Sequence, residues 1–394
     1  MRGTVLCANK LIRRFALIVI LWACSHRAIG MVPFDRVVID TSGPRDPWIK
    51  IVGDINGDKS PDVVIGGQAG PLVWYAYPKW TKTVVARGGY SAVDGELGDV
   101  DADGDMDIVM GGVIWYENPR PEGNPGTAPW GAHRIGIHNS HDVEVGDLDG
   151  DTDLDVVTRD QSGFGHNAGN KIHLWKQEAP TSWVNRIIDC PHGEGLKLAD
   201  MDRDGDPDIA IAGRWYENTR DAPEGPWAEH VFSTTWTHGD VKVEVGDINR
   251  DGRPDIVLAP AEGVYRFSWF EGPSNPKAGE WTEHVIEGTA DGIHSLQAAD
   301  MDANGTLDII IAKMHQYKAP HEVSIYAGDG KGLKWTKQVV GDKGSHNICV
   351  ADIGNDGDLD IIGANWSGPY QPIELWESKM AIPKSRPDEK REAR

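Results

Sequence analysis

Seven segments of this chain repeat one pattern: acidic residues at alternate positions of a short loop that runs straight into an apolar, β-branched stretch. The densest copy, "GDLDGDTDLDVV", places Asp147, Asp149, Asp151, Asp153 and Asp155 at every second residue. Like charges this close repel, so the arrangement is costly unless a cation sits among them. Calcium takes six to eight oxygen ligands, and alternate carboxylates on a tight loop can all face inward toward it. The copies begin at Asp54, Asp99, Asp147, Asp200, Asp247, Asp300 and Asp352, spaced 45 to 53 residues apart. Self-similarity at such a period means a solenoid, a propeller or an array.

After each loop comes a short apolar strand such as "DIVMGG" or "DIIIAK", then a second signature: "VWYAYP", "IWYENP", "HLWKQE", "RWYENT", "SWFEGP", "SIYAGD" and "ELWESK". Most units add a further strand, as in "WGAHRI", "WVNRII", "WAEHVF", "WTEHVI" and "WTKQVV". With the strand ahead of each loop this makes four strands per unit. The pattern predicts an all-β, seven-bladed β-propeller of four-stranded antiparallel blades, in which radial repetition protects the sheet edges. The last unit lacks its outer strand, while "FDRVVID" at residues 34 to 40 belongs to no unit and repeats the outer-strand spacing with Phe34 and Val38. The amino-terminal segment is therefore expected to complete blade seven, making residues 31 to 379 one domain.

Positions 1, 3, 5 and 9 of the loops supply the candidate calcium oxygens. They are Asp54, Asn56, Asp58 and Asp62 in the first; Asp99, Asp101, Asp103 and Asp107 in the second; Asp147, Asp149, Asp151 and Asp155 in the third; and Asp200, Asp202, Asp204 and Asp208 in the fourth. The fifth has Asp247, Asn249, Asp251 and Asp255, the sixth Asp300, Asp302, Asn304 and Asp308, and the seventh Asp352, Asp356 and Asp360, with Gly354 at position 3. An EF-hand is excluded, because the glutamate at position 12 is missing and strands flank the loop. Gly104 and Gly205 at position 6 can take a left-handed turn without steric cost. Thr152 and Lys59 at that position should each weaken the turn by about 1 kcal/mol, so calcium is expected to be tightest in blades two and four.

These loops resemble the FG-GAP or VCBS repeats of integrin-type propellers and many secreted bacterial proteins. The resemblance covers nearly all of the chain after residue 30 and implies that the aspartate loops join the innermost strand to the next on one face. It implies little about activity, since propellers host binding and catalysis alike.

The start of the innermost strand then lies on the opposite face, beside the central channel. Six residues before the first aspartate stand His141, His294 and His346 in blades three, six and seven, and Glu194 in blade four. At about 3.3 Å per residue they lie roughly 20 Å from the calcium loops. Nearby but out of phase are His192, His238 and Asp240. The loops after the second strand are long in the same three blades, as "RDQSGFGHNAGNK", "KMHQYKAPHE" and "NWSGPYQP". They add Arg159, His166, Lys313, His315, Tyr317, Asn365 and Tyr370 to this face. A lone histidine at a strand start is ordinarily structural, whereas three in phase around one channel suggest a site. His133, His230 and His284, in contrast, recur with the outer-strand framework and read as structural, and the tryptophans read as core.

Neutral imidazoles suit zinc and similar divalent metals, and three protein ligands with an open position is the usual catalytic arrangement. Arg159, Arg214 or a metal could stabilise an enolate while a histidine or tyrosine removes a proton, which is β-elimination chemistry. The aspartate loops, WYEN-type strands and histidine-lined face together resemble the propeller domain of aldos-2-ulose dehydratase and, more distantly, propeller polysaccharide lyases and rhamnosidases. That resemblance implies metal-ligand roles for His141, His294 and His346, an oxyanion partner in Arg159 and a base in Tyr317, with His315 close by. The competing expectations are a non-catalytic propeller that binds a glycan or protein on this face, and a surface scaffold with no ligand there.

The termini and composition frame these expectations. Lys10, Arg13 and Arg14 precede the apolar run Phe15 to Ala23, which is too short to span a bilayer, so residues 1 to 30 read as an export signal cleaved near Gly30. The alternative is a lipid anchor at Cys24, in the lipobox-like "LWAC". A secreted or periplasmic protein follows. Cys190 and Cys349 fall in different units, so no disulfide framework is indicated. The net charge of -22 argues against a nucleic-acid partner, and a carbohydrate or other extracellular ligand is expected instead. Residues 380 to 394 read as a charged, solvated tail.

Overall fold

The strand ahead of each aspartate loop and the strands after it fold as one antiparallel sheet, seven times over. The computed structural model describes residues 31–68, 70–88, 93–137, 139–160, 169–219 and 227–380. The residues expected to form an export signal, His166 and all but the first residue of the expected charged tail lie outside them. Strand β1 (Phe34–Asp40) precedes blade one, which comprises β2 (Pro47–Gly53), β3 (Asp62–Gly67), β4 (Leu72–Ala76) and β5 (Thr81–Ala86). Blade two is β6 (Gly95–Gly98), β7 (Asp107–Met110), β8 (Ile114–Glu117) and β9 (Gly131–Arg134), and blade three β10 (Ser140–Gly146), β11 (Asp155–Asp160), β12 (Lys171–Ala179) and β13 (Ser182–Asp189). Blade four is β14 (Lys197–Ala199), β15 (Asp208–Ile211), β16 (Arg214–Glu217) and β17 (Ala228–Val231), and blade five β18 (Val241–Gly246), β19 (Asp255–Pro260), β20 (Val264–Glu271) and β21 (Thr282–Asp291). Blade six is β22 (Ile293–Ala299), β23 (Asp308–Lys313), β24 (Val323–Gly328) and β25 (Trp335–Gly341). Blade seven has β26 (Cys349–Ala351), β27 (Asp360–Gly363) and β28 (Ile373–Ser378), and β1 pairs antiparallel with β28 to complete it. No helix among the described residues is long and apolar enough to cross a membrane.

The core lies between blades, one apolar cluster to each interface. Strands such as β7 and β23 read as unbroken apolar runs because both of their faces are covered by neighbouring blades. The tryptophan of the second signature sits in these interfaces: Trp74, Trp115, Trp175, Trp215, Trp269 and Trp376 are all buried. His133, His230 and His284 stack on Trp115, Trp215 and Trp269 with centroids 4.5, 4.3 and 4.2 Å apart. Each also reaches a glutamate, Glu117, Glu217 or Glu271, which confirms their structural role. The asparagine of "WYEN" welds blades together, with Asn118 Nδ2 donating to Ile55 O of blade one and Asn218 Nδ2 to Leu148 O of blade three.

The seven loops share one backbone. The position 1 carboxylate accepts the N–H of position 6 in every copy, for example Asp99 Oδ2 from Gly104 and Asp147 Oδ2 from Thr152. Position 6 is left-handed throughout, including Lys59 (φ 74°) and Thr152 (φ 80°). A β-branched residue pays most for that conformation. Thr152→Gly is therefore expected to stabilise the protein by about 1 kcal/mol, read as a higher urea midpoint.

Candidate metal centre on the propeller axis

The innermost strands bring four of the in-phase side chains together where the channel closes. His141 at the start of β10, Glu194 just ahead of β14 and His294 at the start of β22 present ligand atoms that all lie within 4.8 Å of one another. His141 Nε2 is 3.1 Å from Glu194 Oε2, and His294 Nε2 is 3.5 Å from Glu194 Oε1. His346 stacks on His294, with centroids 4.1 Å apart. Blades three, four and six thus converge across the axis, and the third donor beside the two imidazoles is Glu194, with His346 forming the wall behind them.

Glu194 is fully buried, and neither of its oxygens accepts a well-formed hydrogen bond. Buried carboxylates are ordinarily paired and hydrogen-bonded. His141 Nδ1 faces Asp142 Oδ1 at 3.1 Å, so a neutral His141 donating there turns the lone pair of Nε2 toward Glu194. A carboxylate orienting a histidine from behind is the usual outer shell of a metal ligand. The donor set of two imidazoles and one carboxylate suits zinc or a similar divalent ion.

Without an ion, a proton serves the same end. Burial alone would lower His141, but the carboxylates of Glu194 and Asp142 outweigh it and raise its pKa. Burial would raise Glu194 and Asp142, yet His141 together with His294 outweighs it at Glu194, and His141 together with Lys242 and the Gly195 N–H outweighs it at Asp142, so both are lowered. Burial holds His294 below its ordinary value and His346 well below it. The carboxylates on either side of His141 thus favour its charged form, while burial disfavours charge on His294 and His346 beside it. Metal binding there would release a proton.

The axial cavity, about 360 Å³, begins one residue further along these strands and is lined by Asp94, Asp142, Glu144, Lys197, Lys242 and Glu244. Lys50 also lines it, and burial pushes its ammonium down to about 7. Its Nζ donates to Pro47 O at 2.6 Å and to His346 O across the seam between blades one and seven. Lys50→Met leaves these carbonyls unpaired and should cost roughly 2 to 4 kcal/mol in a urea melt.

The other expected site residues are placed differently. Arg159 is buried, and its guanidinium donates to three backbone carbonyls, those of Gly169, Pro191 and Gly195; the structure commits it to holding the chain next to Glu194. Tyr317 Oη donates to Glu262 Oε2 and accepts from Gly263 N, both at 2.6 Å. Burial and Glu262 raise the tyrosine pKa, and burial raises that of Glu262. Glu262 was not singled out in the sequence, although it lies in the loop after β19, on the face where such loops belong. His238 Nε2 donates to the same loop at Glu262 O, 2.6 Å away. His315 contacts Ser367 at 3.2 Å and borders a separate 500 Å³ pocket with Lys343, Asn365 and Tyr370.

On the opposite face, three carboxylates come within ligand distance of one another in loops two, three, four and six. Each position 9 aspartate is buried at the start of its strand, and all but Asp62, which accepts one, accept two backbone N–H groups. Asp107, for instance, accepts from Val100 and Asn118. Asp101, Asp202 and Asp302 each leave a buried oxygen without a hydrogen-bond partner, as calcium ligation requires.

An FG-GAP-like repeat model matches residues 54–110, 200–258 and 247–311. No curated protein matches the chain. Among solved structures, that of BBS1N in complex with ARL6DN, soaked with mercury, has a TM-score of 0.56 at 13% identity, covering 90% of this chain and 99% of that one. The same complex soaked with lead gives 0.54 at 12% identity, covering 89% and 98%. A chain of the mitotic checkpoint complex gives 0.51 at 8% identity, covering 95% and 99%. At these identities the likeness concerns the fold alone.

Proposed function

From a seven-bladed propeller of FG-GAP repeats, we propose an exported, calcium-stabilised protein that acts on carbohydrate by β-elimination at a divalent transition-metal site on its axis. The observation that carries the site is the fully buried Glu194 carboxylate, whose two oxygens face the ring nitrogens of His141 and His294, with Asp142 behind. His141, His294 and Glu194 would hold the ion, and when bound it would supply Lewis-acid polarisation of a carbonyl or carboxylate oxygen. Asp142 fixes the tautomer and direction of His141. The hydrogen-bonded pair of Tyr317 and Glu262 can hold and pass a proton at the edge of the cluster, since Glu262 feels the charges of both Glu194 and His141. Export rests on the basic residues and short apolar run before residue 30.

The test is turnover of uronate-containing glycans and keto-sugars, followed by the ultraviolet absorbance of the unsaturated product. Activity in the parent protein that disappears in Glu194→Gln, with an unchanged melting curve, supports the reading. Binding of a glycan without turnover by either protein points to a non-catalytic propeller. Burial of the three donors, at 0 to 2% exposure, favours this second reading, in which the ion pins blades three, four and six together.

A further inference from the structure

The position occupied by Glu117, Glu217 and Glu271 in blades two, four and five is Lys176 in blade three. Two features establish the equivalence. Gln177 N donates to Asp155 Oδ1 as Asn118 N does to Asp107 Oδ1, and Trp175 pairs with Val156 as Tyr116 pairs with Ile108, so that Arg186 stands opposite Leu174 where His133 stands opposite Trp115. With no outer-strand histidine to meet, the side chain turns to the aspartate loop instead. Lys176 Nζ pairs with Asp149 Oδ2 and lies 3.5 Å from Asp151 Oδ2, and so reaches positions 3 and 5 of loop three.

Loop four receives a cation from its neighbour. Lys277, in the segment between β20 and β21 of blade five, places Nζ 2.6 Å from Asp202 Oδ2 and 2.7 Å from Glu217 Oε1. Among the described residues no lysine or arginine forms an ion pair with the position 1, 3, 5 or 9 side chains of loop two or loop six, although all four loops bring three carboxylates together; in loop two Arg120 acts only on Asp105, at position 7.

We infer that Lys176 and Lys277 are built-in counter-cations of loops three and four, so that calcium fills loops two and six ahead of them. The inference rests on the reading of the aspartate loops as calcium sites. An ammonium within hydrogen-bond distance of a ligand oxygen repels a dication and occupies the lone pair it needs, so calcium must first displace the lysine. Loop four has every side chain expected of a tight site, yet it falls behind loop two for a reason written some 70 residues away in the chain.

The experiment is anomalous diffraction from crystals of the full chain at limiting calcium, with calorimetric titration of the same protein in solution. Ions in loops two and six with loops three and four empty is the expected result. K176M should then strengthen calcium binding at loop three by about tenfold or more, and K277M should do the same at loop four. Loops two, three, four and six filling together in the parent protein, or an order of filling unchanged in K176M, would overturn the inference. K176M remains decisive if K277M loosens blade packing, because Lys176 and its loop belong to the same blade. Absence of calcium from loops two and six as well would overturn the calcium reading itself.

Discussion

Chelating calcium from the folded protein is expected to lower its melting temperature by about 7 to 15 °C near pH 8, and by much less near pH 5. An ion present at 100 times its dissociation constant contributes about 2.7 kcal/mol, so two to four ions supply roughly 5 to 10 kcal/mol. The pH dependence comes from the position 9 aspartates. Burial raises Asp62 and Asp360 to about 6, Asp155, Asp255 and Asp308 to about 7, and Asp107 and Asp208 to about 8. Unfolded aspartates titrate near 4, so between about 4 and 8 the folded, metal-free chain binds more protons than the unfolded one, and its stability falls as pH rises. Calcium reverses that slope by favouring the ionised carboxylates. Calorimetry with and without chelator at both pH values reads the effect. A chelated protein as stable near pH 8 as near pH 5 would contradict it.

Removing residues 31 to 40 abolishes the cooperative melt or lowers it by at least as much. Those residues carry β1, whose register runs from Phe34 opposite Ser378 to Asp40 opposite Ile373. Val32 is buried against blades six and seven, and Val37 and Ile39 pack into the interface of blades seven and one. Losing three such side chains costs roughly 4 to 8 kcal/mol before any hydrogen bond is counted. The truncation also leaves β28 as an unprotected edge next to Leu375 and Trp376, a template for pairing between chains. Circular dichroism melting and gel filtration follow both outcomes. A truncated chain that stays monomeric and melts like the parent would show that the ring closes without β1.

Most of the architecture was legible because the chain states it seven times. Period, strand count and the face opposite the loops follow from repetition, and the closing strand follows from a unit that lacks one strand and a segment that lacks a unit. Features set by single residues were less visible. Position 4 of every loop is left-handed, yet Ala102, Arg203, Arg250 and Ala303 occupy it in four of them, and such residues give no sign of it in a sequence. Glu194 stood in phase with the histidines, but the facing of its two oxygens toward His141 and His294 exists only in three dimensions. His346 shares that phase and stacks instead of pointing a nitrogen at the cluster, because blade seven enters beside blade six. Arg159 carries the charge expected of an oxyanion partner, yet nearby backbone carbonyls claim it. Lys176 and Lys277 reach their loops through space, and loop composition alone gives no sign of either contact.

The most direct test of the axial site is elemental analysis by mass spectrometry of the mature protein, purified without chelators or a metal-binding tag. The account predicts calcium together with about one zinc, manganese or iron per chain. His294→Ala should lose the transition metal and keep the calcium. Calcium alone in the parent protein would contradict the axial metal site and leave the ion pairing of His141 with Asp142 and Glu194 as the cluster's only role.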